Sequence, residues 1–301
     1  MNLRLAATTA AVAGALLALA PAAGAATTCA TGTSSYSSAV SGTSGLAGYW
    51  RLDDSGLPTA CSATGVNPGS YQGGVTLGRQ GAIAGDADAA AAFDGSTGDV
   101  SVPDAASLDL GDSFSVEAWV KRSTLGGSAN QVVASKQNNA WVLMFNPSNQ
   151  LVLRQSAVAD VAVSNATVAD TSAWHYVAVT KNGAAVHLYI DGRDVTGSVS
   201  NRTMADNTLP LVIGQSTGTA YFAGAIDEVA VYRGALSAAQ VSSHWSAGAG
   251  TQAPPPPSSD PVVAAAGDIA CDPADPSYAG GSGTAGACRQ VAVSNLLTTN
   301  L

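Results

Sequence analysis

The chain's acidic residues number 21, and only two of them, Glu117 and Glu228, are glutamates. A glycosidase works with two close carboxyl groups, one acid and one nucleophile or base. No run of acidic residues alternates along any strand-like stretch, so hydrolysis of glycosides is not expected. No G-x-S-x-G elbow presents a serine nucleophile, and His175 and His187 fall in strand-like stretches, where they read as hydrogen-bonded or exposed residues. Aspartate instead suits turns, caps and oxygen-ligand metal sites. Asp53, closing the first apolar stretch, and Asp227, within the last, are candidate ligands of a structural calcium at one rim; the alternative is that Asp227 caps a turn or accepts backbone amides. Farther on, Gly267-Asp268 ends the run Val262–Ala266, and a carboxylate at the carboxyl end of a buried strand stands where open α/β sheets bind ligands. Among the five tryptophans Trp141, beside Asn138 and Asn139, is the candidate platform for a stacked sugar ring, the others reading as core.

Before any of these can act the chain needs an address. Met1–Arg4 is basic, Leu5–Ala20 is apolar, and Ala23-Gly24-Ala25 offers small residues for cleavage, so residues 1–25 read as a secretory signal peptide. No later stretch is a membrane span, and a secreted protein follows. In an oxidising compartment the four cysteines pair locally, Cys29 with Cys61 and Cys271 with Cys288, since none has the C-x-x-C spacing of a zinc site. With 12 basic against 21 acidic residues and no Lys/Arg cluster, a nucleic-acid partner is excluded.

The elements that would hold these residues are β-strands. Hydrophobic residues make up 46% of the chain and charged ones 11%, with 33 glycines, a composition of turn-rich β proteins. From Leu46 to Trp245, β-branched and aromatic stretches alternate with turns. Asn182-Gly183 and Asp191-Gly192 bracket one of these stretches, and such pairs mark hairpins because both turn positions tolerate positive φ. A short helix over Ser237–Trp245 follows, with Ser237 as its N-cap. Residues 249–261, including Pro254–Pro257, form an extended linker. Residues 262–301 then read as strand, loop and helix, too few to stand alone as half of an α/β sheet.

Seven fragments in order resemble laminin-G-like jelly-roll domains of the concanavalin A-like type. They are Tyr49–Asp53, Phe93–Gly95, Phe114–Val120, Trp174–Thr180, Leu188–Gly192, Ile226–Val229 and Tyr232–Ser237. The resemblance covers about 200 residues and implies an all-β, antiparallel two-sheet sandwich over residues 26–248. The stretch ending in Gly267-Asp268 resembles the start of a calcineurin-like metallophosphoesterase, in which that aspartate is a metal ligand; Ala270 stands where the family's histidine is common. The resemblance implies an incomplete site here, with divalent transition metals bound only by a longer parent protein. The expectation is thus a secreted, monomeric binding module for a glycan or an extracellular protein, without catalysis of its own. Its alternative is a structural or adhesive module that contacts protein.

Overall fold

The computed structural model describes Cys29 and residues 32–127 and 129–250. The expected signal peptide, residues 251–261 of the linker, Asp268, Cys271 and Cys288 lie outside the described residues; the last helix runs beyond Trp245 to Ala249, with Gly250 as its C-cap, so the first two residues of the expected linker belong to the helix and its cap. In chain order the elements begin with α1 (Ser35–Gly42), β1 (Leu46–Trp50), β2 (Thr59–Ala60), β3 (Gly69–Gln72), β4 (Val75–Gln80), β5 (Ala89–Asp94) and β6 (Asp99–Val102). They continue with β7 (Ser113–Arg122), β8 (Gln131–Ser135), β9 (Trp141–Phe145), β10 (Gln150–Gln155), β11 (Ala159–Thr167), β12 (His175–Asn182) and β13 (Ala185–Ile190). The last are β14 (Arg193–Asp194), β15 (Thr196–Val199), β16 (Leu211–Ile213), β17 (Gln215–Ser216), β18 (Ala220–Tyr221), β19 (Ala223–Arg233) and α2 (Ala238–Ala249).

Two antiparallel sheets result. The first runs β14-β13-β12-β7-β19-β5-β4, with β1 also paired to β19; the second runs β15-β11-β10-β9-β8-β16-β6-β3-β2. Strands β17 and β18 form a separate hairpin. The period-two alternation of the strands explains the layering. In β9, Trp141, Leu143 and Phe145 enter the core between the sheets, whereas Val142 and Met144 join a small apolar cluster on the outer face of the second sheet. In β7, Val116, Ala118 and Val120 face that same core, while Trp119 turns outward to a third layer, where α1 and α2 cover the first sheet.

The turns do what their residues allow. Asp191 and Gly192 both take positive φ, 50° and 73°, and join β13 to β14 as a two-residue turn. Gly192 is also bare for packing, because a Cβ there would stand 2.9 Å from Trp245. Helix α2 begins with Ser237 as N-cap in a full capping box with Gln240, and Gly250 ends it in the left-handed conformation. Cys29 and Cys61 form the first of the two expected bridges; closing a loop of that size stabilises the fold by about 3 to 4 kcal/mol in the chain-entropy account.

Candidate functional site

Both glutamates are fully buried, and each gathers polar partners on the outer face of the first sheet. Glu117, in β7, accepts from Tyr36, Tyr232 and Tyr176 at 3.3, 2.9 and 2.5 Å, and His244 Nδ1 lies 3.0 Å from its Oε2. These donors come from α1, β19, β12 and α2, so this carboxylate pins both helices to the sheet. Burial and the nearby Glu117 charge push the hydroxyls of Tyr36, Tyr176 and Tyr232 well above the ordinary tyrosine value, so they stay protonated donors.

Glu228 lies in a second cluster, at the place where β19 changes neighbours. Along one edge, residues 223–226 of β19 pair with β5 and residues 229–232 with β1. Between them the register against β7 shifts, and Glu228 takes φ 54°. This bulge reverses the parity of the strand. The alternation in sequence puts Asp227 on one face with Val229 and Val231; in the fold those valines enter the core, while Asp227 lies opposite Trp119 of the outer layer.

Arg51, 4% exposed, organises the acids around it. Its Nε donates to Glu228 at 3.2 Å, Nη1 to Asp53 at 3.1 Å, and Nη2 to Asp88 at 2.6 Å and Asp86 at 3.2 Å. Tyr49 donates to Glu228, and the Ala82 amide to Asp227 at 2.7 Å. Burial, with neighbouring carboxylates adding to it, raises Asp53, Asp88, Asp227 and Glu228 above their ordinary values. Asp53 therefore belongs to the same cluster as Asp227, as the first and last strands suggest. It lies in the loop after β1 and its carboxylate is held by Arg51. One oxygen from each of Asp88, Asp227 and Glu228 lies within 4.8 Å of the other two.

Trp141 is not a ligand platform. It is 2% exposed and stacks on Phe114 in the core, ring centroids 5.8 Å apart. One residue along, Val142 reaches the opposite face, where a pocket of ≈ 250 Å³ opens between β8–β10 and the β17–β18 hairpin. Its floor is Val132, Val142 and Met144, and its polar rim includes Asn130, Arg154, Ser156 and Thr217. Arg154 Nε donates to Asp160 at 2.6 Å, and its two Nη groups make no hydrogen bond among the described residues. The lining thus joins buried apolar side chains to polar groups and a guanidinium edge. The sequence hid this pocket because its lining comes from four separated stretches.

The strand histidines are hydrogen-bonded. His187 bonds Asp194, and His175 stands between Asp191 and Asp170, 2.7 Å from each. Hydrogen bonding to Asp191 and then Asp170 outweighs burial and pushes His175 up to about 9, while Asp170, held by the Ala173 amide and by His175, falls to about 2. The His175 contribution to stability is complete below pH 6.5 and is lost as pH rises through about 9; that of Asp170 is present above pH 4 and lost as pH falls through about 2. Melting temperature is therefore expected to fall between pH 7 and pH 9.5. His175→Ala should flatten that slope and cost about 2 kcal/mol at neutral pH.

With this geometry, comparison with known proteins is informative. Residues 94–242 match the family model Laminin_G_3, the concanavalin A-like lectin/glucanases superfamily. No curated protein matches the chain. Among solved structures, domain 4 of AbnA, a GH43 extracellular arabinanase from Geobacillus stearothermophilus in complex with arabinotriose, is 22% identical; the match covers 66% of this chain and 97% of that one, with a TM-score of 0.50. The binding domain of Paraclostridial Mosquitocidal Protein 1 is 17% identical over 65% of this chain and 51% of its own, TM-score 0.50. Trypanosoma rangeli sialidase in complex with sialic acid is 16% identical over 67% of this chain and 33% of its own, TM-score 0.50. The chain thus spans nearly all of the arabinanase domain, half of the toxin's binding domain and a third of the sialidase. At these identities the likeness is one of fold.

Proposed function

We propose that the chain, an antiparallel two-sheet sandwich similar over residues 94–242 to the concanavalin A-like lectin/glucanases superfamily, is an exported carbohydrate-binding module whose ligand sits in the pocket on the outer face of the second sheet. The observation that carries this reading is Arg154. Its guanidinium, held by Asp160 through Nε, lines the pocket together with Asn130, Ser156 and Thr217, so donors and acceptors stand side by side there. Vicinal hydroxyls of a sugar both donate and accept, as do the Asn130, Ser156 and Thr217 side chains that line the pocket. The arabinotriose complex of the arabinanase domain makes arabino-oligosaccharides the first probes. The disulfide fits an oxidising, extracellular setting. Among the described residues no helix is long and apolar enough to cross a membrane.

Titration calorimetry of the chain with arabinotriose, preceded by a glycan array to find better ligands, tests the reading. Arg154→Ala should weaken binding about 10- to 100-fold, the loss expected for charge-assisted hydrogen bonds. A blank array would point to the alternative of an adhesive module contacting protein, and an Arg154→Ala variant that binds glycan like the parent would overturn this pocket as the site. Attachment to a metallophosphoesterase rests on Gly267-Asp268 alone. Its check is a longer protein in which Asp268→Asn abolishes metal-dependent phosphoesterase turnover and leaves glycan binding unchanged.

A further inference from the structure

On the reading of the outer-face pocket as a sugar site, we infer that its ligand is an acidic sugar whose carboxylate Arg154 takes on its two Nη groups. Three observations converge there. The first is charge. The lining holds one charged side chain, Arg154, and no carboxylate among the described residues. That runs against the chain as a whole, in which 21 acidic residues face 12 basic ones. A neutral sugar gains only ordinary hydrogen bonds from a guanidinium, whereas a carboxylate gains shorter bonds about twice as strong.

The second is the geometry of the guanidinium. Asp160 accepts from Nε at 2.6 Å and does not itself line the pocket, while the Nη edge makes no hydrogen bond among the described residues. That edge is a planar fork matched to the two oxygens of a carboxylate. One guanidinium can serve several acids at once, as Arg51 does in this same chain, holding Glu228 through Nε and Asp53, Asp86 and Asp88 through its Nη groups. Asp160 thus orients Arg154 and leaves its fork for a ligand.

The third is a pair of unspent hydroxyls. Ser156 and Ser216 line the pocket at 2% and 6% exposure, and neither hydroxyl makes a hydrogen bond among the described residues. Polar groups so deeply buried normally have a partner. Ser156 follows Arg154 by two residues, so one strand end supplies both the fork and a further donor for a carboxylate. The turns beside these serines are strained. Ala157 and Thr217 both line the pocket in the left-handed region, at φ 60° and 55°, a backbone that a β-branched threonine rarely adopts and that persists only where its surroundings enforce it.

Uronic and sialic acids both present this chemistry, and the test separates them. Titration calorimetry of the full chain uses two matched pairs, trigalacturonate against its methyl ester and sialyllactose against lactose. In at least one pair the acid should bind at least tenfold tighter than its neutral partner, and the pair that shows this identifies the source of the carboxylate. The advantage should shrink several-fold when salt rises from about 0.02 to about 0.5 M, because the Arg154 side chain is 35% exposed and open to screening. The same exposure lets substitutions at this position fold. Arg154→Gln should bring acid and neutral partner within about twofold of each other, and Arg154→Lys, which keeps the charge without the fork, should retain part of the preference. Neutral sugars that bind as tightly as the acids would overturn the inference and leave the sugar pocket standing. An acid preference that survives Arg154→Gln would overturn it as well. A chain that binds no sugar at all would overturn the pocket and this inference together.

Discussion

Glu117→Ala should lower the stability of the chain by about 3 to 5 kcal/mol, the cost of removing one member of a buried polar cluster and leaving its partners unpaired. Three tyrosine hydroxyls and the His244 ring nitrogen would face a void in a layer where these side chains are almost wholly buried. Glu117→Gln keeps the shape and an acceptor oxygen, but its amide group would meet donors, so a smaller loss of about 1 to 3 kcal/mol is expected. Urea unfolding followed by tyrosine fluorescence and by far-ultraviolet dichroism measures both. If Glu117→Ala unfolds within 1 kcal/mol of the parent, the cluster does not hold the helices.

The second large effect belongs to Arg51. Arg51→Ala removes the one cation that touches Asp53, Asp86, Asp88 and Glu228 among the described residues, and the loss at pH 7 should again reach about 3 to 5 kcal/mol. The sign of its pH dependence is fixed. Burial already raises Asp53, Asp88, Asp227 and Glu228, and Arg51 opposes that rise in each. Without it the folded state holds more protons than the unfolded one over a wider range, so the variant should gain stability as pH falls from 7 toward 5. Paired denaturation curves at the two pH values decide the matter, and a variant that is equally destabilised at both would show that lost packing, not charge, sets the cost.

Much of the fold is legible from residue type. The Asp191-Gly192 hairpin, the Ser237 cap and the alternation through Phe114–Val120 stand where their residues put them, whereas the other hairpin turns one residue later than expected, on Gly183 and Ala184, with Asn182 still in β12. What the sequence hides depends on partners distant along the chain. The bulge at Asp227-Glu228 exists because β19 exchanges β5 for β1 there, a fact absent from Ile226–Val231 read alone. Helix α1 is also silent, since Tyr36 and Val40 are the buried apolar residues of a serine-rich segment, spaced as one helical face. A better signal was present in the glutamates. A lone Glu between Val116 and Ala118, and another just before Val229 and Ala230, are acids in strands destined for burial, and such acids must find donors. Trp141 misleads by one position, the interval that exchanges the two faces of a strand.

The meeting of Tyr36 and His244 on Glu117 also governs how the domain can be tethered. It draws the helices at the two ends of the jelly roll together on the outer face of the first sheet, while the pocket opens on the outer face of the second. A leash joined before α1 or after α2 would therefore leave from the back of the sandwich, with the pocket turned away from whatever it is fastened to. Tension applied between the two ends would enter through the Cys29–Cys61 bridge on one side and through α2 with its hold on Glu117 on the other. Such an arrangement suits a module that must keep its grip while the assembly behind it is pulled.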